Sequence, residues 1–169
     1  MSSEIRLTPT SYIVLGLIEG GGEATPYDLK QAVAASLGDF WSLQHAQLYT
    51  EPERLAGAGY LKERREEGGR RRRHYAITAK GREALRDWLA EPTEELTELR
   101  DLALLKVFFG ADAKAMAAAQ LPAHERQLAA YEELRRDFGK VMPKGPGITL
   151  EAGIAAERIW IEFWSKQSG

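Results

Sequence analysis

Apolar positions recur at three- and four-residue spacing through most of this chain, the signature of helices with one buried face. Tyr12, Leu15 and Ile18 predict a first helix from Pro9 to Glu19, where Thr8 can cap the free amides and Pro9 suits the first helical position. Gly20-Gly21-Gly22 ends it. Thr25-Pro26 repeats the start signal, and Leu29, Val33 and Leu37 predict a second helix to about Leu37, with Gly38 as its stop. Phe40 and Trp41 are expected to plug the core at the following turn. Leu48, Pro52 and Leu55 predict the buried face of a third helix, from Ser42 or Leu43 to about Ala58. Pro52 removes one backbone hydrogen bond and clashes with the Leu48 carbonyl, so this helix is expected to kink or to start late.

The pattern then changes. Leu61–Glu67 and Arg70–Ile77 read as a strand pair joined at Gly68-Gly69, and Thr78 caps a further helix to about Ala90 with Leu85, Trp88 and Leu89 inward. This order places a basic hairpin beside a helix of groove-reading size, the layout of a winged helix-turn-helix. Glu91-Pro92 reads as a boundary. Beyond it no strand pattern recurs. Leu96, Leu99, Leu102 and Leu105 predict a helix from about Thr93 to Phe109. The Ala-, Glu- and Arg-rich stretch Ala113–Phe138 predicts another, kinked or split at Pro122. A loop is expected at residues 142–147, then a last helix from Leu150 to about Lys166, capped by Thr149. The fold class expected is mainly α with a small β-wing: a winged helix-turn-helix domain at 1–91 and a helical region at 92–169.

Composition changes this picture little. Of 169 residues, 44% are hydrophobic and 28% charged, ordinary for a soluble globular protein. The absence of cysteine excludes disulfides, thiolate nucleophiles and Cys-based metal sites. It fits a reducing cytoplasm, and the first ten residues carry no secretory-type apolar segment. The net charge of −2 is not that of a uniformly basic DNA-binding domain. The charge is local: Lys62, Arg64, Arg65 and Arg70 to Arg73 against Glu63, Glu66 and Glu67 give residues 62–73 a net +4.

Candidate chemistry follows from that locality. A run of arginines is commonly a solvated hairpin tip, but arginine's planar donor fork also suits phosphate oxygens and narrow minor grooves. Arg70, Arg71, Arg72 and Arg73 are therefore candidate DNA contacts, with alternate residues facing opposite ways along the strand. On the third helix, with Leu48, Pro52 and Leu55 inward, Gln47, Thr50 and Arg54 lie to the side or outward, and His45 lies near the first turn. Glutamine can read adenine, and arginine can read guanine or bind phosphate. Tyr49 can pack on the wing or offer its hydroxyl to a phosphate. Glu51 and Glu53 would repel phosphates. His45, His74 and His124 make no metal-ligand spacing, and no phosphate loop, serine elbow or carboxylate pair stands out. Neither an enzyme nor a cofactor is expected. On the last helix, Leu150, Ile154, Ile161 and Trp164 form an apolar face expected to pack on the Ala-rich helix and on a second subunit. Trp160 and Trp164 are alternatively a stacking site for a flat aromatic ligand.

These segments resemble the PadR family of bacterial transcriptional regulators. The matching stretches are LTPTSYIVLGLI, TPYDLKQAV, FWSLQHAQLYTEPERLAGAGYL and RRRRHYAITAKGREALRDWL. They cover about the first ninety residues closely, and the helices that follow extend the likeness more loosely. The resemblance implies a winged helix-turn-helix domain with a helical C-terminal dimerisation region. It further implies a homodimer that represses transcription and is relieved by a small, often aromatic, effector. Pro52 departs from the apolar, helix-friendly residue of many members. The reading is a cytoplasmic, dimeric repressor whose third helix enters the major groove of an inverted-repeat operator. The alternative is a winged-helix module for protein–protein assembly.

Overall fold

A computed structural model of the chain describes residues 5–38, 41–67 and 72–169. The order is α1 (Pro9–Gly21), α2 (Pro26–Ser36), α3 (Gln47–Gly57), β1 (Leu61–Arg65), β2 (Arg73–Ile77), α4 (Ala79–Ala90), α5 (Leu102–Phe108), α6 (Ala113–Phe138) and α7 (Lys144–Gln167). The chain divides into two compact units, Met1–Glu95 and Leu96–Gly169.

In the first unit the helix starts are set locally. Thr25 accepts from the Asp28 amide at 3.2 Å while the Asp28 carboxylate accepts from the Thr25 amide at 2.9 Å, a reciprocal cap. Thr8 and Ser11 make the same arrangement at the head of α1. The antiparallel pair β1–β2 runs in register from Leu61 opposite Ile77 to Arg65 opposite Arg73. Ala24 adds a single bridge to Tyr75, with both backbone bonds made. Val14, Leu15 and Ile18 of α1, Leu29 of α2, Leu48 and Leu55 of α3, and Tyr75 of β2 form one buried core. The chain turns from β2 into α4 at a close approach. A side chain at Gly81 would sit 2.2 Å from the Tyr60 carbonyl oxygen. Thr78 caps α4 and donates to the Gly59 and Tyr60 carbonyls at 2.8 and 3.0 Å.

Several boundaries differ from the sequence pattern. Residues 42–46 are not helical, and α3 starts at Gln47 with no side-chain cap, a late start that is one of the two outcomes expected from Pro52. Pro52 sits inside α3 with its ring fully buried. Burial against the core is how the helix tolerates the missing amide. Trp41 is 41% exposed rather than a core plug, and Phe40 lies outside the described residues. The strands are shorter than the apolar pattern suggested. On α4, Leu85 is buried as expected, but Leu89 is exposed, and Trp88 stacks in parallel on Tyr12 of α1 at 4.5 Å.

The second unit holds the larger departure. The leucine spacing from Leu96 to Leu105 predicts one helix, yet only Leu102–Phe108 is helical. Leu96 is 93% exposed and Leu99 is exposed too, and a short helix without a buried face gains too little to form. Asp101 instead caps α5 through the Leu104 amide at 2.8 Å. α6 is one helix of 26 residues that carries Pro122 inside it. α7 begins at Lys144, earlier than Leu150. Its Pro146 falls within the first turn, where amides have no intrahelical partner to lose. A short connection makes α6 and α7 an antiparallel pair. It is tied by His124–Glu157 at 2.6 Å, Arg158–Glu132 at 2.7 Å and Arg135–Glu151 at 3.3 Å. No helix among the described residues is long and apolar enough to cross a membrane.

Candidate nucleic-acid interface

The amphipathicity of α3 divides its residues. Leu48, Pro52 and Leu55 are buried against the core, so Gln47, Tyr49, Thr50 and Glu53 are left on the exposed side. His45 lies in the turn before the helix and is exposed. Thr50 donates back to the Ala46 carbonyl at 3.3 Å. Its methyl and both oxygen lone pairs remain available to a ligand.

Arg54 is placed differently from the other candidates. Its guanidinium folds back against the helix and makes a paired contact with Glu51, Nε to Oε2 at 2.9 Å and Nη2 to Oε1 at 2.6 Å. Nη2 also reaches Ser11 Oγ at 3.0 Å, and Nη1 reaches the Arg6 carbonyl at 3.1 Å. Burial pushes the Glu51 carboxyl up, but the hydrogen bonds from Arg54 and Ser11 outweigh it and hold it below the usual carboxylate range. Glu51, expected to repel phosphate, is thus matched inside the domain.

The wing is less cationic than its sequence count. Arg64 pairs with Glu23 through two bonds at 3.0 and 2.7 Å, and this holds the Glu23 carboxyl below its ordinary range. Arg65 meets Glu63 at 2.6 Å. Arg73 reaches across to Glu53 of α3 at 2.9 Å, a contact that raises its own pKa. His74 Nε2 lies 2.8 Å from Glu66. Arg72 is exposed. Arg70 and Arg71 lie outside the described residues. Arg64, Arg65 and Arg73 are therefore held in a mesh with Glu23, Glu53 and Glu63. The pairing of an arginine in β2 with an acid in α3 had no local signal, because the partners are twenty residues apart and meet only through the fold.

The last helix also resolves its candidates. Ile154 and Trp164 are fully buried and Leu150 and Ile161 half-buried, all on the side of α7 that faces α6. Trp164 belongs to a small core with Ala103 and Ala117. Trp160 stacks on His124 at 6.0 Å and meets Phe163 edge-on. Its ring is thus already matched within the chain. The opposite side of α7 carries Ile148, Ala152, Ile159 and Phe163, which the spacing argument passed over, and all four are exposed. Among the described residues, no group of three or more His, Asp or Glu could hold a metal ion.

The three-helix core, the two-stranded wing and the exposed side of α3 define a winged helix-turn-helix protein. Residues 14–87 match the transcriptional regulator PadR-like family, and residues 99–167 match the virulence activator alpha C-terminal family. The first unit of this chain is a PadR-like family domain. The chain is 32% identical over 100 residues to the negative transcriptional regulator PadR of Bacillus subtilis. That alignment takes in 58% of this chain and 54% of the relative, about half the relative's length. Its fold is similar to a crystal structure of Bacillus subtilis PadR in complex with operator DNA, with a TM-score of 0.83, 23% identity and coverage of 96% of this chain and 97% of that one. It is also similar to Bacillus subtilis PadR in complex with p-coumaric acid, with a TM-score of 0.77, 23% identity and coverage of 92% and 94%.

Proposed function

We propose that this chain is a sequence-specific DNA-binding transcriptional regulator that acts as a cytoplasmic homodimeric repressor. The observation that carries the reading is the exposed edge of α3. Gln47, Thr50 and Tyr49 are presented by a helix whose other side is locked into the core, with the wing joined to it through Arg73 and Glu53. A rigid helix with free polar side chains is what base-edge recognition in a major groove needs. The likeness to a negative transcriptional regulator, and to its structure on operator DNA, supports this reading over a protein-assembly module. In this reading His45, Gln47, Tyr49 and Thr50 face the groove. Arg70, Arg71 and Arg72 are the wing cations proposed to meet the backbone or the adjacent minor groove, with Arg73 held back by Glu53.

The second unit serves dimerisation. The proposed partner surface is the exposed stripe Ile148, Ala152, Ile159 and Phe163, behind the buried row of Leu150, Ile154, Ile161 and Trp164. A small aromatic effector is proposed as the release signal, supported by the likeness to the p-coumaric acid complex. The test is a fluorescence-anisotropy titration of labelled duplex from upstream of the chain's own coding sequence, with unlabelled unrelated duplex as competitor. Specific retention against that competitor is expected. Equal displacement by unrelated DNA, or no binding, would leave the protein-assembly reading.

A further inference from the structure

We infer that Arg54 is a positioning residue, which orients α3 through Glu51 and Ser11 and does not itself contact DNA. This inference rests on the DNA-binding reading above. The first ground is occupancy. All three guanidinium nitrogens are engaged, in four hydrogen bonds to Glu51, Ser11 and the Arg6 carbonyl. A guanidinium has five N–H groups, so little of the donor fork is left for a base or phosphate. The second ground is burial. Ser11 is 0% exposed, and the Glu51 side chain is only 12% exposed. Ser11 also donates to Glu51 at 2.6 Å and accepts from the Thr8 amide at 2.8 Å. The three side chains therefore form one closed unit that includes the cap of α1.

The third ground is direction. At 3.6 residues per turn, Gln47, Thr50 and Arg54 share one side of α3. The edge that presents Gln47 and Thr50 is thus the edge tied to α1 and to the segment before it. Leu48, Pro52 and Leu55 fix which side of α3 faces the core, but their contacts are non-directional and allow small rotations about the helix axis. Arg54, bonded in a fixed plane to Ser11 of α1 and to the Arg6 carbonyl, pins the outer edge against them. Lysine cannot replace it, because a single ammonium does not span Glu51, Ser11 and the Arg6 carbonyl in one plane.

The two roles predict opposite outcomes at Glu51. If Arg54 touches DNA, Glu51→Gln frees it and removes a negative charge, so binding tightens. If Arg54 positions α3, the same change loosens the edge and specificity falls. The experiment starts with a duplex selected from a random pool by the wild-type dimer and a scrambled duplex of the same composition. Dissociation constants for both are measured across a salt series for wild type, Glu51→Gln, Arg54→Ala, Arg54→Lys and the Glu51→Gln/Arg54→Ala double variant. Circular dichroism establishes that each is folded, and Arg54→Lys and Glu51→Gln carry the test if Arg54→Ala is not. The selected-to-scrambled affinity ratio is expected to fall about tenfold in each single variant, Arg54→Lys included. The double variant loses no more than the worse single one, and the salt slope is unchanged. Tighter binding by Glu51→Gln overturns the assignment. So does a salt slope flattened by about one in Arg54→Ala while Arg54→Lys behaves as wild type. Failure of the wild-type protein to enrich any duplex would instead sink the DNA reading, and this inference with it.

Discussion

Glu53 Oε1 lies 2.9 Å from Arg73 Nη1, an ion pair that joins the exposed side of α3 to the first residue of β2. An acid on the side of a helix proposed to face phosphates is costly unless it is matched, and Arg73 matches it. The pair is solvent-accessible, so its own contribution to stability is small. Its consequence is for binding, because it withholds one wing cation. Glu53→Gln is expected to strengthen binding to selected and random duplexes alike. The salt dependence should steepen by about one as Arg73 becomes available to a phosphate. Unchanged affinity across a salt titration would place both residues outside the interface.

Gln47 is exposed, is not drawn into the Arg54 network, and lies one turn from Thr50. Gln47→Ala is expected to cost about 1–3 kcal/mol on the selected duplex and little on random DNA. Parallel losses on both would make Gln47 a backbone contact at most.

Gly81 tests the junction of wing and α4. A methyl group there meets the Tyr60 carbonyl oxygen at 2.2 Å and the Ile77 side chain at 2.8 Å, and the first of these is backbone that cannot rotate away. Gly81→Ala is expected to destabilise the first unit by about 1–3 kcal/mol, against the small gain that alanine normally brings to a helix. Chemical denaturation reads this directly, and a variant as stable as wild type would contradict the close approach.

Carboxylates held below their ordinary range make the first unit acid-sensitive, Asp28 and Glu51 among them. Hydrogen bonds from the Thr25 backbone and side chain hold Asp28 below the ordinary aspartate range. Glu51 is depressed despite its burial, through Arg54 and Ser11. A depressed folded pKa adds stability that is complete above the unfolded value and is lost as pH falls through the folded one. Melting temperature is therefore expected to drop below about pH 4, where unfolded carboxylates take up protons. Glu51→Gln should lower stability at neutral pH and make that drop shallower. The same steep acid limb in wild type and Glu51→Gln would remove Glu51 as a source.

The outer stripe of α7 offers Phe163 and Ile159, exposed by 36% and 64%. Phe163→Glu with Ile159→Glu is expected to leave α7 folded, because Ile154 and Trp164 still pack inward, and to convert dimers to monomers in analytical ultracentrifugation. Operator affinity should fall with it, since one half-site retains only part of the binding energy. A double variant that still sediments as a dimer would move the partner surface elsewhere.

The chain's sequence by itself determines its local starts and its layout. Thr8-Pro9, Thr25-Pro26 and Thr78 cap α1, α2 and α4 with side chains only a few residues from the amides they satisfy. Apolar spacing likewise marks Leu48, Pro52 and Leu55 as the inner side of α3, because helix periodicity is a local property. Tertiary structure alone decides what the charges do. Arg54 and Arg73 look alike in sequence, as outward cations beside a groove-reading helix. Their destinations depend on Ser11, forty-three residues before Arg54, and on Glu53, which the fold brings to β2. The helix expected from Thr93 fails for the same reason. Leu96 and Leu99 have helical spacing, but spacing stabilises a helix only where another surface covers its apolar side.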